Sequence, residues 1–226
     1  MPATLFLLLL FNEALTSAPA GTLDRLLARM DQNAVTFKSM TAKLRHVSHI
    51  AVINEDNVQT GTMRMKRNKR DVLVLVEFTA PERKAVAVAG TKLEMYYPKL
   101  NTVEEYDLGK NRELAEKYLA LGFGASGKDL SADYSLRELG AEPVNGQKAT
   151  RLELIPKSKQ VLQQFPKIEM WISDATGYPI QQKFFQTGGD YTLFTYSDES
   201  INPSLPDSAF KINLPKGVKR VFPQRS

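Results

Sequence analysis

Hydrophobic and polar residues alternate through most of the chain, and this alternation predicts short β-strands joined by tight turns. Residues 61–98 predict four such strands, and the first places Met63, Met65 and Arg67 on one face. The next run, residues 72–76, is apolar on both faces. An arginine at the end of a methionine-lined face needs an acceptor from elsewhere in the chain, because a buried charge without a partner is costly.

The same pattern continues on both sides of this segment. Alternation over residues 37–53 predicts a long strand, and the polar residues 54–57 predict the turn that leads into the next one. Further strands are predicted at residues 102–108, 134–139, 149–155, 168–173, 180–185, 191–197 and 210–218, with a short turn or helical loop at residues 206–210.

Two segments have helical periodicity instead. An apolar stripe at i, i+3, i+4 and i+7 predicts a helix over residues 22–33, which fits either core packing or a mobile lid. A broad apolar side predicts a second helix over residues 112–121. The glycine-rich residues 122–127 match G-x-G-x-x-G, but a helix rather than a strand precedes them. We therefore interpret them as a helix C-cap followed by a flexible loop.

With about eleven strands, two helices and no repeating βαβ unit, the sequence predicts a mainly β (α+β) fold. The expected architecture is a curved antiparallel half-open β-barrel, with the helices covering one mouth or face. Such a body either fills its interior with its own side chains or encloses a cavity. Methionine suits a surface that repacks around variable apolar ligands, and ordinary core filling explains the methionines equally well.

Composition and charge narrow the class of function. The 226 residues carry a net charge of +5 without a dense basic cluster, which favours acidic head groups or membrane surfaces and predicts no nucleic-acid partner. The basic run at residues 66–70 is interpreted as a solvated turn. The absence of cysteine excludes disulfides and a Cys-anchored lipid on this chain.

The chain offers little material for catalysis. Its two histidines, His46 and His49, are three residues apart on a predicted strand and so point to opposite faces, without an evident nucleophile partner. We therefore expect no metal site, no cofactor and no enzymatic activity, with a hydrolase as the enzymatic alternative.

The N-terminal residues predict export. Residues 5–11 form an apolar run too short to span a membrane as a helix, and Ala18-Pro19-Ala20 is a candidate cleavage site. Signal peptides usually have a lysine or arginine before the apolar run, and this chain has neither there. The prediction is a signal peptide at residues 1–20, a single carrier domain at residues 21–226 and a periplasmic location.

Several motifs together carry a family resemblance: Gly61, Lys66-Arg67, the apolar strand at residues 72–78, Pro81, Gly90, Tyr96-Tyr97-Pro98 and the closing segment 210–218. In this order they resemble the LolA family of periplasmic outer-membrane lipoprotein carriers and its lipoprotein-sorting relatives. Asn68 and Ala89 differ from that family's pattern, which often has proline and aspartate there.

The resemblance implies a carrier that encloses the acyl chains of lipoproteins in an apolar cavity and shuttles them from the inner to the outer membrane. The implied partners are acylated lipoproteins, an inner-membrane ABC lipoprotein exporter and an outer-membrane acceptor. The chain is expected to be a monomer that contacts a membrane surface transiently. Two alternatives stay open: a lipid- or lipoprotein-binding sensor or storage module of the same fold without a delivery role, and a structural envelope protein with a filled interior.

The resemblance also assigns roles to residues. Arg67 is implied as a lid latch that hydrogen-bonds carbonyls in residues 112–127. The residues expected to line the apolar cavity and lid are Leu26, Met30, Met40, Leu44, Met63, Met65, Val74, Val76, Met95, Leu114, Tyr118 and Met170.

Overall fold

The computed structural model describes residues 21–68 and 71–223, so the predicted signal peptide and part of the basic run at residues 66–70 lie outside the described residues. The strands are β1 Ser39–Ile50, β2 Glu55–Arg67, β3 Val72–Ala80, β4 Lys84–Ala89, β5 Lys92–Tyr97, β6 Thr102–Asp107, β7 Tyr134–Ala141, β8 Ala149–Pro156, β9 Lys167–Ser173, β10 Pro179–Phe185, β11 Tyr191–Ile201 and β12 Lys219–Val221. The helices are α1 Thr22–Thr36, α2 Arg112–Leu119, α3 Gly127–Asp133 and α4 Lys159–Gln164, with 3₁₀ turns at Pro98–Leu100, Gly109–Asn111 and Asp207–Phe210.

All twelve described strands form one curved, open sheet in the order β12-β6-β5-β4-β3-β2-β1-β11-β10-β9-β8-β7. Neighbouring strands pair antiparallel, except that β12 runs parallel to β6. At the edge strand β7, the register against β8 shifts between Glu138 and Gly140. The predicted fold class is confirmed, and the twelve described strands agree with the count of about eleven indicated by the sequence.

The inner face of the sheet carries two contiguous apolar clusters. One joins β1–β4 to Phe37 and Phe123, and the other joins α1 to β8–β10. Alternation explains why: Met40, Ala42 and Leu44 of β1 pair across the sheet with β2, and all three are buried. The helices and the segment after α2 therefore close over a filled interior.

The outer face of β3 is covered as well, which explains why residues 72–76 are apolar on both faces. Leu75 packs with Ala87 of β4 and with Phe210 from the C-terminal segment. The closing strand predicted at residues 210–218 is wrong, because Phe210 is anchored on the outer face of the sheet and the only described strand after it is β12. The predicted helical loop before it is the 3₁₀ turn Asp207–Phe210.

One other local prediction needs correction, and two helices were missed. The β1–β2 turn is at residues 51–54 rather than 54–57, because Glu55 and Asp56 already pair with Ile50 and His49. Helices α3 and α4 were not predicted, since both are short and lack a repeated apolar stripe.

Among residues 21–68 and 71–223, no helix is long and apolar enough to cross a membrane.

Candidate lid and apolar interior

Arg67, the last residue of β2, contacts the segment that follows α2. Its backbone N–H donates to the Lys38 carbonyl at 2.8 Å, and its guanidinium Nη1 donates to the Gly124 carbonyl. Gly124 lies within residues 112–127, where the resemblance implied the acceptor. Arg67 is exposed rather than buried, so its charge stays hydrated and does not carry the burial penalty expected from the sequence. Its role as a latch stays a prediction.

Gly124 permits this approach because it has no side chain. Its φ is +75°, and a Cβ there would lie 2.7 Å from a ring carbon of Phe37 and 3.1 Å from the Arg67 Nη1. The first distance is shorter than any ordinary carbon–carbon contact. The loop between α2 and α3, residues 120–126, which we call the lid loop, is therefore fitted against Phe37 and Arg67.

A second connection holds the lid loop from inside the protein. The amide Nε2 of Gln182 on β10 donates to the Leu121 carbonyl at 2.7 Å, and the Tyr196 hydroxyl donates to the Gln182 Oε1 at 2.7 Å. Gln182 is only 3% exposed. Burial raises the pKa of the Tyr196 phenol well above its ordinary value, so Tyr196 remains a protonated donor at neutral pH. Sequence reasoning missed this pair, although a glutamine at an inward-facing position of a strand is the signal for it.

Phe123 inserts the lid loop into the core. Its ring is fully buried, meets Tyr196 edge-on at a centroid distance of 5.2 Å and lies 6.5 Å from the Phe37 ring. Aromatic pairs at these distances add to the stabilisation from burial alone. The lid loop is thus held by a surface hydrogen bond, a buried hydrogen bond and a buried ring.

Helices α1 and α3 pack as a unit beside the lid loop. Ser126 and Asp129 form a reciprocal capping box at the start of α3, and the first residue of that helix, Gly127, lies directly against the backbone of Leu27. Arg29 and Asn33 of α1 donate to backbone carbonyls of the 174–176 turn. The attachments of α1 to that turn are polar and exposed, which makes them the weaker part of its packing.

The structure brings most of the predicted lining residues together. Met40, Leu44, Met63, Met65 and Val74 belong to the cluster that contains Phe123, and Val76 packs against it. Leu26, Met30 and Met170 belong to the cluster that contains Leu121, with Tyr118 packed against it. Met95 and Leu114 are half-buried, on β5 and α2, and belong to neither cluster.

Within each cluster these residues pack against one another, so their own side chains occupy space where the sequence analysis expected an apolar hollow. One polar atom among these described side chains has no hydrogen-bond partner, the buried Tyr118 hydroxyl, whose pKa burial raises above its ordinary value. Two clefts lie beside Arg67 instead. One of about 470 Å³ runs between β3 and the α2–α3 region, and one of about 550 Å³ is lined by Phe37 and Gly124.

Comparison with known proteins identifies the family. The model of the family described as "Outer membrane lipoprotein carrier protein LolA" matches residues 35–213. An outer-membrane lipoprotein carrier protein of Ralstonia nicotianae is 29% identical over 141 residues, which span 62% of this chain and 60% of that protein. The match thus covers less than two thirds of that relative's length.

Solved structures share the fold at low identity. An uncharacterized conserved protein from Thermus thermophilus superposes with a TM-score of 0.55 at 16% identity, covering 89% of this chain and 99% of that one. The Mycobacterium tuberculosis lipoprotein LppX superposes with a TM-score of 0.50 at 13% identity, covering 80% and 97%. Because the family model spans most of the described sheet together with the lid loop, the chain belongs to the LolA family of outer membrane lipoprotein carrier proteins.

Proposed function

We propose that this protein is a periplasmic carrier that encloses the acyl chains of lipoproteins between the sheet and the lid and shuttles them from the inner to the outer membrane. The observation that carries the proposal is the construction of the interior. Five methionines, at positions 30, 40, 63, 65 and 170, are buried beneath a loop with few attachments. Flexible thioether side chains repack readily around an inserted chain.

The energies involved favour exchange of lid side chains for acyl chains. Withdrawing Phe123 and Leu121 from the core costs about 1.5–3 kcal/mol each, and each lost hydrogen bond costs about 1 kcal/mol. Each methylene that leaves water contributes about 0.8 kcal/mol, so ten methylenes contribute about 8 kcal/mol. One long acyl chain therefore offsets the opening of the lid, and the lid recloses when the chain leaves.

A closed, filled interior is what a structural envelope protein would have, and it is equally compatible with a carrier that releases its ligand. A carrier with a permanently open apolar hollow would hold its ligand at no competing cost, whereas here Phe123 competes with the ligand for the same space. Delivery from the inner to the outer membrane would then require an inner-membrane exporter that loads the carrier and an outer-membrane acceptor that receives the lipoprotein.

The decisive experiment is binding and transfer of a fluorescent triacylated lipopeptide. We expect native mass spectrometry to show a stoichiometric complex with the lipopeptide and none with the same peptide lacking its acyl chains. We expect the carrier to release the lipopeptide when an outer-membrane extract that contains the lipoprotein receptor is added. The fluorescence of the lipopeptide monitors this transfer.

The outcomes separate the candidate functions. Binding with release supports the carrier, and binding without release to any outer-membrane fraction favours a sensor or storage module. A protein that stays empty in the presence of the lipopeptide contradicts the proposal and favours a structural role.

A further inference from the structure

The β1–β2 hairpin ends in aliphatic side chains that point into solvent. Val52 is 90% exposed, Ile53 60% and Ile50 42%. The turn is nevertheless held in place, because the Asn54 N–H donates to the Ala51 carbonyl at 3.2 Å and the Ala51 N–H donates to the Asp190 Oδ1 at 2.8 Å. Three large aliphatic groups on a fixed, projecting turn are costly in water unless something covers them.

Other exposed apolar residues lie at the same end of the sheet. The antiparallel order places the turns at residues 51–54, 81–83, 98–101 and 186–190, together with α4, at one end, which we call the hairpin rim. Leu100 in the 98–101 turn is 71% exposed, and Leu162 on α4 is 39% exposed. Thr187 connects α4 to the 186–190 turn through the Gln163 carbonyl at 3.4 Å.

Positive charges surround this apolar rim. Arg83 and Lys159 are exposed on it. Just behind it, Lys183 lies 3.7 Å from the centroid of the Tyr191 ring, and Lys167 lies 4.0 Å from the centroid of the Phe185 ring.

The acidic groups of the rim are mostly engaged within the protein. Glu82 pairs with Lys99, Glu169 pairs with Lys167 at 2.9 Å, Asp56 contacts His49, and Asp190 accepts from the Ala51 N–H. Glu55, at the start of β2, is exposed. At the rim and directly behind it, seven lysines and arginines stand against these five carboxylates, so the net charge is +2 and complements an anionic surface: Arg83, Lys84, Lys99, Lys157, Lys159, Lys167 and Lys183.

The shape of the rim favours a lipid surface over a protein partner. A stable protein interface buries about 800 Å² on each side, with close complementarity. A few side chains at the tip of a projecting turn offer much less area than that. Insertion among lipid head groups needs only a small apolar wedge with cations and aromatic rings behind it.

We propose that the hairpin rim docks onto an anionic phospholipid bilayer, with Ile50, Val52 and Ile53 inserted at the head-group level and the rim cations facing the lipid phosphates. The thirteen residues of β2 separate this rim from Arg67, a span of about 40 Å at about 3.3 Å per residue. The lid loop therefore stays clear of the docked surface. This proposal does not depend on cargo binding.

The test uses the fact that the chain contains no cysteine, which allows single-site labelling. Val52→Cys carries an environment-sensitive nitrobenzoxadiazole probe, and the matched control is Val35→Cys on α1, which is 86% exposed but lies near Arg67 rather than on the rim. Vesicles of phosphatidylethanolamine with phosphatidylglycerol are compared with vesicles of phosphatidylcholine alone. We expect a blue shift and an increase of about threefold in emission at position 52 with the anionic vesicles, and no change at position 35.

Unlabelled variants test the same contact by vesicle flotation. We expect Val52→Asp with Ile53→Asp to reduce the floated fraction at least about fivefold, and Arg83→Glu with Lys159→Glu to remove its dependence on ionic strength. Val35→Asp should float like the wild type. Absence of flotation by the wild type, or an equal loss in Val35→Asp, would overturn the proposal, and neither result bears on lipopeptide binding.

Discussion

Gln182 and Leu121 are joined by a buried 2.7 Å hydrogen bond that connects the floor of the sheet to the lid loop. The Tyr196 hydroxyl fixes the orientation of the Gln182 amide, because it donates to the Gln182 oxygen and leaves the nitrogen to face the Leu121 carbonyl. The hydrogen bond from Gln182 on the sheet therefore depends directly on the closed position of the lid loop.

Replacing Gln182 with leucine should loosen the lid and weaken the fold. The change leaves the Leu121 carbonyl and the Tyr196 hydroxyl buried without partners, which costs about 1–3 kcal/mol of the free energy of unfolding. Urea denaturation measures this loss. The matched control is Gln181→Leu, whose amide oxygen accepts from Thr195 on the other face of the same strand. Equal losses in the two variants would argue against a special role for the Leu121 contact.

Arg67→Leu should make the lid loop more dynamic with little effect on global stability. An exposed hydrogen bond to a charged group contributes on the order of 1 kcal/mol, so amide exchange in residues 120–126 should accelerate roughly three- to tenfold. Hydrogen–deuterium exchange with mass spectrometry measures this rate. Arg45→Leu, an exposed arginine on β1, is the control and should leave the exchange in the lid loop unchanged. If both variants exchange alike, Arg67 does not hold the lid.

Gly124→Ala should destabilise the protein more than an equivalent glycine substitution elsewhere. Gly124 and Gly146 have nearly the same φ, +75° and +79°, but an added Cβ would meet other atoms within 4 Å at Gly124 and none at Gly146. The backbone strain costs about 1 kcal/mol at either site, so the difference between Gly124→Ala and Gly146→Ala isolates the clash with Phe37 and Arg67. Thermal denaturation should show the larger loss at position 124, and indistinguishable losses would contradict the close approach described above.

Stability should fall as the pH drops through the mildly acidic range because of His46. Its ring stacks on Phe194 at a centroid distance of 5.0 Å, and burial lowers its pKa below the ordinary value of 6.5. The unfolded chain therefore binds a proton at this residue more readily than the native protein. The corresponding stability is present in full above pH 6.5 and is lost as the pH falls from there toward the folded pKa.

The free energy of unfolding measured from about pH 7.5 to about pH 5.5 checks this prediction. We expect it to decrease toward low pH in the wild type, and to decrease less in His46→Phe, which keeps the ring contacts without a titrating group. A parallel pH profile in the two proteins would exclude His46 as the origin of the slope.

The sequence predicted the elements with clear periodicity and missed those that depend on single contacts. The alternation of β2 placed Met63 and Met65 inside, because one buried face imposes a period of two. Helix α3 escaped prediction because its seven residues lack an apolar stripe, and its start depends on the Ser126–Asp129 capping box. The covering of residues 72–76 by Phe210 is a contact between distant parts of the chain, which local pattern cannot indicate.

The interior shows the same division. Ten of the twelve predicted lining residues belong to the core clusters or pack against them, and this follows from their spacing along strands and helices. Whether they enclose a hollow or fill it depends on where Phe123 lies, and a ring in a glycine-rich loop has no periodicity that would place it. Only the folded structure shows Phe123 between Phe37 and Tyr196.

The register shift in β7 has a consequence for self-association. An edge strand presents unpaired backbone groups that invite another strand to extend the sheet, and this is a common start of fibrillar aggregation. In β7 the shift between Glu138 and Gly140 interrupts the regular row of donors and acceptors, and the charged Arg137 and Glu138 lie beside it. An incoming strand would lose its pairing midway along β7, so this edge of the open sheet resists extension by another chain.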